Sequence, residues 1–443
     1  MSQQTTAEKN QKLSRADLFS MAIGQIIGVG IMTMTGIAIG FTGRSVNLAY
    51  LLAGALTILS AIPQIYIGGT ANFPGGQYSQ IAVLSGQRLA GVYTFVNLAM
   101  TLALSMYTLS FADYFMSLVP GINVKLLSFV VLTALFALHL VGVKQAARLQ
   151  NILCVVLAVA IGAYIAFGVG HIQADYFAPD QFMTGGVTGF LLASIYLNFA
   201  CGGATYVVNY SGEAKNPTRD IPFVIIVSTG AIVVLYALMS TIAAGVLPVD
   251  QVANQPLSVS AATFMPKSVF TFFVVGGAMF ALLTTLNFSI GMCTYPALRA
   301  CADGWLPKSL AVRNKRFGTP HWILLIFYLI GFLPILFGVD LSTVANSTVI
   351  LTTAIRGVIA YSAMQLPKKM PELWKQSKFY VSDGKLKAVS IITIVITVIS
   401  ILLLLVSTSP IQICGNCGIL LVSAVLAFAR NRYVKLEANY EAK

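Results

Sequence analysis

Two glycine-rich interruptions hold the residues of this chain best suited to chemistry. The first is Ile23-Gly-Gln-Ile-Ile-Gly-Val-Gly-Ile-Met32 and the second is Phe199-Ala-Cys-Gly-Gly-Ala204. Each falls inside an apolar run long enough to cross a bilayer, which takes about 20 residues. Unwinding a helix in mid-membrane frees backbone N–H and C=O groups that lipid cannot satisfy. Such groups persist where they line a cavity and hold a solute. The half-helix after a break offers its N-terminus to a carboxylate, and the half before it offers carbonyls to an ammonium. Gly28, Gly30, Gly202 and Gly203 let a ligand approach the backbone closely. Two matched breaks therefore fit the two poles of a zwitterion, and broken spans at corresponding positions of two halves point to a carrier's binding site. Close helix packing is the other use of such glycines, and Gly24 and Gly28 have the small-xxx-small spacing for it.

Ionisable residues within the apolar runs are few, and each is a functional candidate by default. Asp113 lies near the outer end of the third run and Glu213 closes the sixth at the inner face; both are candidates for gating or coupling. Glu213 has a second reading as an interfacial partner of Lys215 or Arg219. His139 reads as a packing histidine, and Arg356 as a snorkelling residue or half of a structural ion pair. No cluster of acids sits at mid-membrane, which argues against a strongly cationic substrate. Enzyme signatures are missing: there is no HExxH, no Walker A and no Gly-x-Ser-x-Gly. The three histidines, 139, 171 and 321, are far apart. No catalytic residue, metal or cofactor is expected. Cys414 and Cys417 form a CxxC without a nearby histidine or second pair, and read as small packing residues rather than a disulfide or zinc site.

These residues must be positioned by a membrane protein. The 443 residues are 57% hydrophobic and only 9% charged, where a soluble domain is nearer a quarter charged. Mean hydropathy is +0.83. Twelve spans are predicted, at 18–40, 46–68, 90–118, 126–143, 151–170, 187–211, 222–246, 268–300, 321–338, 342–365, 388–407 and 412–430. No strand-like alternation is visible, so the fold class is all-α. A Pro/Gly turn at 72–79 leads into a short interfacial helix through Leu84. The longest loops are 247–267 and 366–387. The net charge of +13 gathers on alternate loops: 23 basic residues fall on one side, and three, Arg44, Lys125 and Lys267, on the other. The positive-inside rule puts both termini in the cytoplasm of a multi-pass cell-membrane protein. Charge so dispersed excludes nucleic acid as a partner. Residues 1–16 are polar and the first run is long, so no cleavable signal peptide is read. The breaks lie five spans apart, in spans of opposite direction. That predicts two inverted five-helix repeats, 18–170 and 187–365, with 388–430 appended, an N-terminus at 1–17 and a tail at 431–443.

Four motifs resemble the amino acid–polyamine–organocation transporter superfamily. Ile26-Ile-Gly-Val-Gly-Ile-Met32 is similar to its first-span IIG(S/A)GIF pattern. Phe199-Ala-Cys-Gly-Gly203 followed by Glu213-Ala-Lys-Asn-Pro-Thr-Arg-Asp-Ile-Pro222 resembles its sixth-span aromatic gate and EExKNPxRxIP loop. Ala302-Asp-Gly-Trp-Leu-Pro-Lys308 with Arg316-Phe-Gly-Thr-Pro320 resembles its ARDGxLPK…RFGTP loop, and Pro74-Gly-Gly-Gln-Tyr78 is a weaker match. The resemblance implies a leucine-transporter-like 5+5 inverted repeat with discontinuous spans 1 and 6. It also implies transport of amino acids or related amines by proton symport or exchange. The backbone at Ile27, Gly28, Val29, Gly30 and Ile31 would take the substrate carboxylate. Phe199, Ala200, Cys201, Gly202 and Gly203 would take the amino group, with Phe199 as a lid.

Departures from the pattern shape the expectation. Val29 replaces a small polar residue, and Cys201 stands where an aromatic is common. Ala204 replaces a frequent tryptophan, which would enlarge the pocket. Gly212 replaces the first acid of the pair. The coupling lysine of some relatives should fall near Leu157 and is absent, which favours exchange over proton coupling. The expected function is an amino acid permease for a neutral zwitterion, with a proton or counter-substrate as the second solute. The alternatives are a polyamine or amine antiporter of the same fold, and a non-transporting sensor or partner subunit.

Overall fold

The computed structural model describes residues 12–442 apart from Val29, Asp340, Ser407 and Ala438. Among these residues the chain is helical, with two isolated β-bridges, Leu13 to Ala214 and Asn72 to Glu441, and no strand. Ten helical stretches are long and apolar enough to cross a membrane. Two shorter apolar helices, His321–Phe337 and Thr348–Ala363, stand where the ninth and tenth spans are predicted.

Four segments pack into an inner bundle: Arg15–Ile26 with Thr35–Thr42, Val46–Thr70, Gly186–Cys201 and Pro217–Gly245. Around it, Leu104–Leu118, Val124–Val141, Phe280–Asp303 and His321–Phe337 pack on one another. Leu341–Ala363 lies against Asp383–Val406, and Pro410–Arg430 against Gln87–Met100. Side chains that face lipid are as apolar as those that face protein. Exposed Ile391, Val395, Val398 and Leu402 mark one such face of the eleventh predicted span.

Three expectations are corrected. The fifth predicted span begins eight residues early, as Val143–Gly168, so Lys144 and Arg148 ride on helix rather than loop. Long basic side chains at a helix end keep their charge in the headgroup layer and look like loop charge in a sequence. The helix after the Pro/Gly turn, Gln77–Leu84, is buried rather than interfacial. Its polar residues are bonded inside the protein: Gln64 Nε2 donates to Gln80 Oε1 at 2.6 Å, and Asn209 Oδ1 accepts from the Gln77 N–H at 2.9 Å. The loops at 247–267 and 366–387 contain short helices, among them Leu257–Phe264 and Pro371–Lys375.

Both predicted interruptions are present. Arg15–Ile26 ends at Ile27, whose backbone is extended, and helix resumes as a π turn at Gly30–Met34. Gly186–Cys201 ends at Gly202, also extended, and a 3-10 helix runs over Ala204–Glu213. Between them Gly203 has φ +122, open only to a residue without Cβ.

Candidate functional site

The two breaks touch each other. A Cβ on Gly30 would lie 3.0 Å from both Cα and Cβ of Ala200, and one on Gly203 would lie 3.1 Å from the Gln25 carbonyl oxygen. Glycine is therefore what lets one interrupted backbone cross the other. A cavity with about 870 Å³ of space free of atoms, its open mouth included, lies beside the crossing. The first break contributes Gln25, Ile26, Gly28 and Gly30 to its wall, and the second contributes Phe199, Ala200, Gly202 and Gly203. A smaller space of about 260 Å³ adjoins it, lined by Gly202, Gly203, Ala204 and Arg356 among others.

Side chains near the first break reach two of its freed carbonyls. Tyr236 Oη donates to the Ile26 carbonyl at 3.0 Å. The hydroxyls of Thr284 and Thr285 lie 3.1 and 2.9 Å from the Gly24 carbonyl oxygen, although each also reaches Ala281 O. Span-five side chains against this helix include Gln150, beside Gly24, Asn151, whose Nδ2 donates to Asp17 Oδ1 at 2.9 Å, and Cys154, whose Sγ donates to Ser20 O at 3.1 Å. All three are neutral, and Leu157 is buried.

Below the cavity the end of the molecule that carries residue 13 is closed. Tyr210 Oη donates to Phe288 O at 2.6 Å, and Asn209 Nδ2 to Met292 O at 3.1 Å. Ser211 Oγ donates to Phe73 O. Leu13 pairs by backbone with Glu213 and Lys215, and Arg15 bridges Asp220 at 2.6 Å. The tail straps the same face: the Glu437 N–H and Asn439 Nδ2 donate to the Asp303 carboxylate at 3.1 and 2.9 Å. Tyr78 Oη donates to it at 2.7 Å. Burial, with the Asp303 carboxylate beside it, holds the Tyr78 phenol above its ordinary pKa, so it stays a donor. On the cavity side Phe199 is 40% exposed and is part of the wall.

Of the predicted site residues, Gly28, Gly30, Phe199, Ala200, Gly202 and Gly203 line the larger cavity. Val29 lies outside the described residues. Ile27, Ile31 and Cys201 are buried with side chains away from that wall. Asp113 is exposed on Leu104–Leu118 and is not a lining residue. Glu213 closes the 3-10 helix and lies 3.9 Å from Arg313, not from Lys215 or Arg219. His139 is a buried packing histidine, with Nε2 3.0 Å from Asn287 O. Cys414 and Cys417 are free and exposed, so neither the disulfide nor the packing reading holds in the chain alone. Arg356 forms no ion pair among the described residues; it lines both cavities and donates to Asn198 Oδ1 at 2.9 Å. Tyr107, Tyr206, Thr285, Ser289 and Thr352 also line the wall and were not singled out. Their only sequence signal is a polar side chain inside an apolar run.

The amino acid permease family model matches residues 13–421. The chain belongs to this family. The permease is 27% identical over 387 residues to the methylthioribose transporter of Bacillus subtilis, covering 82% of each chain. It is 26% identical over 398 residues to the branched-chain amino acid permease BcaP of the same organism, covering 83% of this chain and 84% of that one. Cationic amino acid transporter 4, vacuolar, of Arabidopsis thaliana is 24% identical over 339 residues, 70% of this chain and 56% of the relative. Family and relatives are transporters, and the chain is a multi-pass membrane permease rather than an enzyme.

Proposed function

We propose that this permease is a secondary carrier that binds an amino acid at the crossing of its two broken helices and moves it by alternating access. The observation that carries the reading is the contact of Gly30 with Ala200 and of Gly203 with Gln25 at the wall of one cavity. The helix starts at Gly30 and Ala204 offer N–H groups to a carboxylate. Phe199 is the lid. Its 40% exposure, with the opposite end closed, fits a state facing away from the termini. In this reading the chain has twelve spans in a 5+5 inverted repeat, 18–170 and 187–365, followed by 388–430. Both termini, 1–17 and 431–443, are cytoplasmic, and the protein sits in the cell membrane. The inner bundle rocks against the surrounding helices.

Neutral Gln150 and Cys154 beside the first helix, with a leucine at 157 where the lysine would fall, favour exchange over coupling through a span-five lysine. A polyamine is disfavoured, because no Asp or Glu lines the cavity among the described residues and Arg356 does. With a guanidinium in the wall, the neutral amino acid expected from the sequence becomes one of two classes, neutral and acidic.

The test is uptake of labelled amino acids into liposomes holding the purified chain, with and without internal amino acid and with an imposed pH gradient. Acceleration by internal substrate supports exchange, and acceleration by the gradient alone supports symport. Binding without flux would support the sensor reading, and no uptake or binding of any amino acid would sink the carrier.

A further inference from the structure

We infer that Arg356 is an anion subsite of the cavity, and that the permease carries an amino acid with a second carboxylate, of net charge −1. The inference rests on the cavity being the transport site.

Arg356 projects from Leu341–Ala363 into the space shared by the two cavities. Its Nη1 donates to Asn198 Oδ1 at 2.9 Å, and its Nη2 lies 3.4 Å from where a Gly202 Cβ would be. The guanidinium thus sits at the second break itself. A guanidinium has five N–H donors, and Asn198 is a neutral acceptor that takes one of them. Among the described residues no carboxylate lines either cavity. The ion pairs found there are elsewhere: Arg15–Asp220, Arg44–Asp175, Arg299–Glu437 and Arg313–Glu213.

A cation inside a span without a counter-charge is costly, and such residues mark solute pathways. A structural role is poorly served here. Asn198 is already held by Thr57, to which its Nδ2 donates at 2.9 Å, and by Ala53 O. Helices begin at Gly30 and Ala204 beside it and add N–H donors to the wall, while the carbonyl ends of Arg15–Ile26 and Gly186–Cys201 leave the guanidinium as its only full charge among the described residues. A cationic solute would be repelled. A neutral zwitterion would bring one ammonium and one carboxylate and leave the guanidinium uncompensated. A dicarboxylic amino acid places one carboxylate at the helix starts and the other on Arg356, in the planar two-point geometry a guanidinium favours. Hydroxyls of Tyr206, Thr352 and Ser289 line the same wall and can complete the shell.

An inorganic anion such as chloride shares this chemistry, and the experiment separates the two sources. The full chain is purified in gluconate buffer, and thermal unfolding is measured with L-glutamate, L-aspartate, L-glutamine and L-asparagine. Counterflow of labelled glutamate and glutamine is measured in liposomes with and without chloride. We expect each acid to be preferred over its amide by at least about tenfold, since the amide leaves a buried charge unpaired, with no need for chloride. Arg356→Gln should abolish that preference by losing the acid rather than the amide, and Arg356→Lys should keep part of it. Amides bound and carried as well as acids, an equal effect of Arg356→Gln on both, or amide transport that requires chloride and Arg356 would overturn the subsite and leave the carrier standing. No binding or flux of any amino acid would overturn both. The acid-to-amide comparison uses the unmodified protein, so it stands even where a variant fails to fold.

Discussion

Replacing Gly203 by alanine tests whether the second break is a built feature of the fold. Gly203 has φ +122 and ψ −39, outside the regions an L side chain adopts. Holding alanine there costs about 1–3 kcal/mol, which is roughly 5- to 150-fold in an equilibrium constant. The new Cβ would also lie 3.1 Å from both Cγ and the carbonyl oxygen of Gln25. The carbonyl belongs to the first break and cannot swing aside as a flexible side chain would. Relieving the contact means parting the two interrupted helices, so the cost should fall near the top of that range. Two comparisons isolate the cause. Gly202 is next in sequence but has φ −73 and ψ 173, an extended backbone any residue adopts. Gly162 lies within Val143–Gly168 with nothing within 4 Å of an added Cβ. Alanine at Gly162 should stabilise by up to about 1 kcal/mol through helix propensity. Thermal unfolding in detergent and uptake in liposomes give the readout. Gly203→Ala should lower the midpoint and uptake together, Gly202→Ala, whose Cβ would meet the Phe199 carbonyl oxygen at 3.3 Å without backbone strain, should lower the midpoint less, and Gly162→Ala should raise it. A Gly203→Ala protein with the unfolding midpoint and uptake of the parent would refute the reasoning, because neither the backbone conformation nor the crossing could then be as described.

Three further outcomes are expected. Phe199→Ala should slow turnover more than it weakens binding, read as a fall in maximal uptake at a near-constant half-saturation; the reverse pattern would make Phe199 a contact residue and not a lid. Arg44 is 1% exposed and donates to Asp175, Gln173 and Ala244 O, whereas the Asp175 side chain is 60% exposed. Arg44→Met should therefore cost about 2–4 kcal/mol by stripping several charge-assisted bonds, and Asp175→Asn less than about 1 kcal/mol; equal effects on the unfolding midpoint would contradict this. Burial pushes the Tyr176 phenol up to about 12 from an ordinary 10.0, and its hydroxyl donates to Arg44 O at 2.7 Å. Because the folded value is the higher one, the stability it supplies is complete below pH 10 and is lost as pH rises toward 12. The loss is about 2–3 kcal/mol. Tyr176→Phe should flatten that alkaline arm of the unfolding curve, and an unchanged arm would assign it to another group.

The breaks were legible because clustered glycines mark a backbone that comes close to its neighbours, as at Gly30, or takes a conformation open only to glycine, as at Gly203. Gly28, Gly30, Gly202 and Gly203 all reach the cavity wall. The rotation of the surrounding helices was not legible. In a soluble helix an apolar stripe marks the buried face. Here lipid and protein neighbours are equally apolar, so Leu104–Leu118, Phe280–Asp303 and Leu341–Ala363 carry no stripe that points inward. Tyr107, Thr285, Ser289 and Thr352 are found at the wall only once those helices are placed. Arg356 was visible as an ionisable residue within a span, but its role depends on which way the helix turns. Snorkelling or an ion pair was the expectation, and the structure gives it Asn198 and a place in the cavity wall. Asp113, equally visible, turns outward.

The cavity takes its charge from Arg356, and the backbone groups at the two breaks bear on how a solute meets it. The carbonyls at the end of the first half-helix face hydroxyl donors: Tyr236 at Ile26, and Thr284 and Thr285 at Gly24. At the second break the Phe199 carbonyl accepts from the Gly202 N–H at 3.1 Å, and the Asn198 carbonyl lies 3.2 Å from Thr57 Oγ1. Some of the acceptors that an ammonium would seek thus already face a protein donor. Donors are not matched in the same way, since a helix start leaves N–H groups without partners in its own helix. The permease has such a start at each break and adds a guanidinium at the second. A carboxylate oxygen brought to this wall meets donors in place, and an added cation faces the guanidinium. Selection for negative charge therefore rests on Arg356, with the N–H groups of the two helix starts beside it as support.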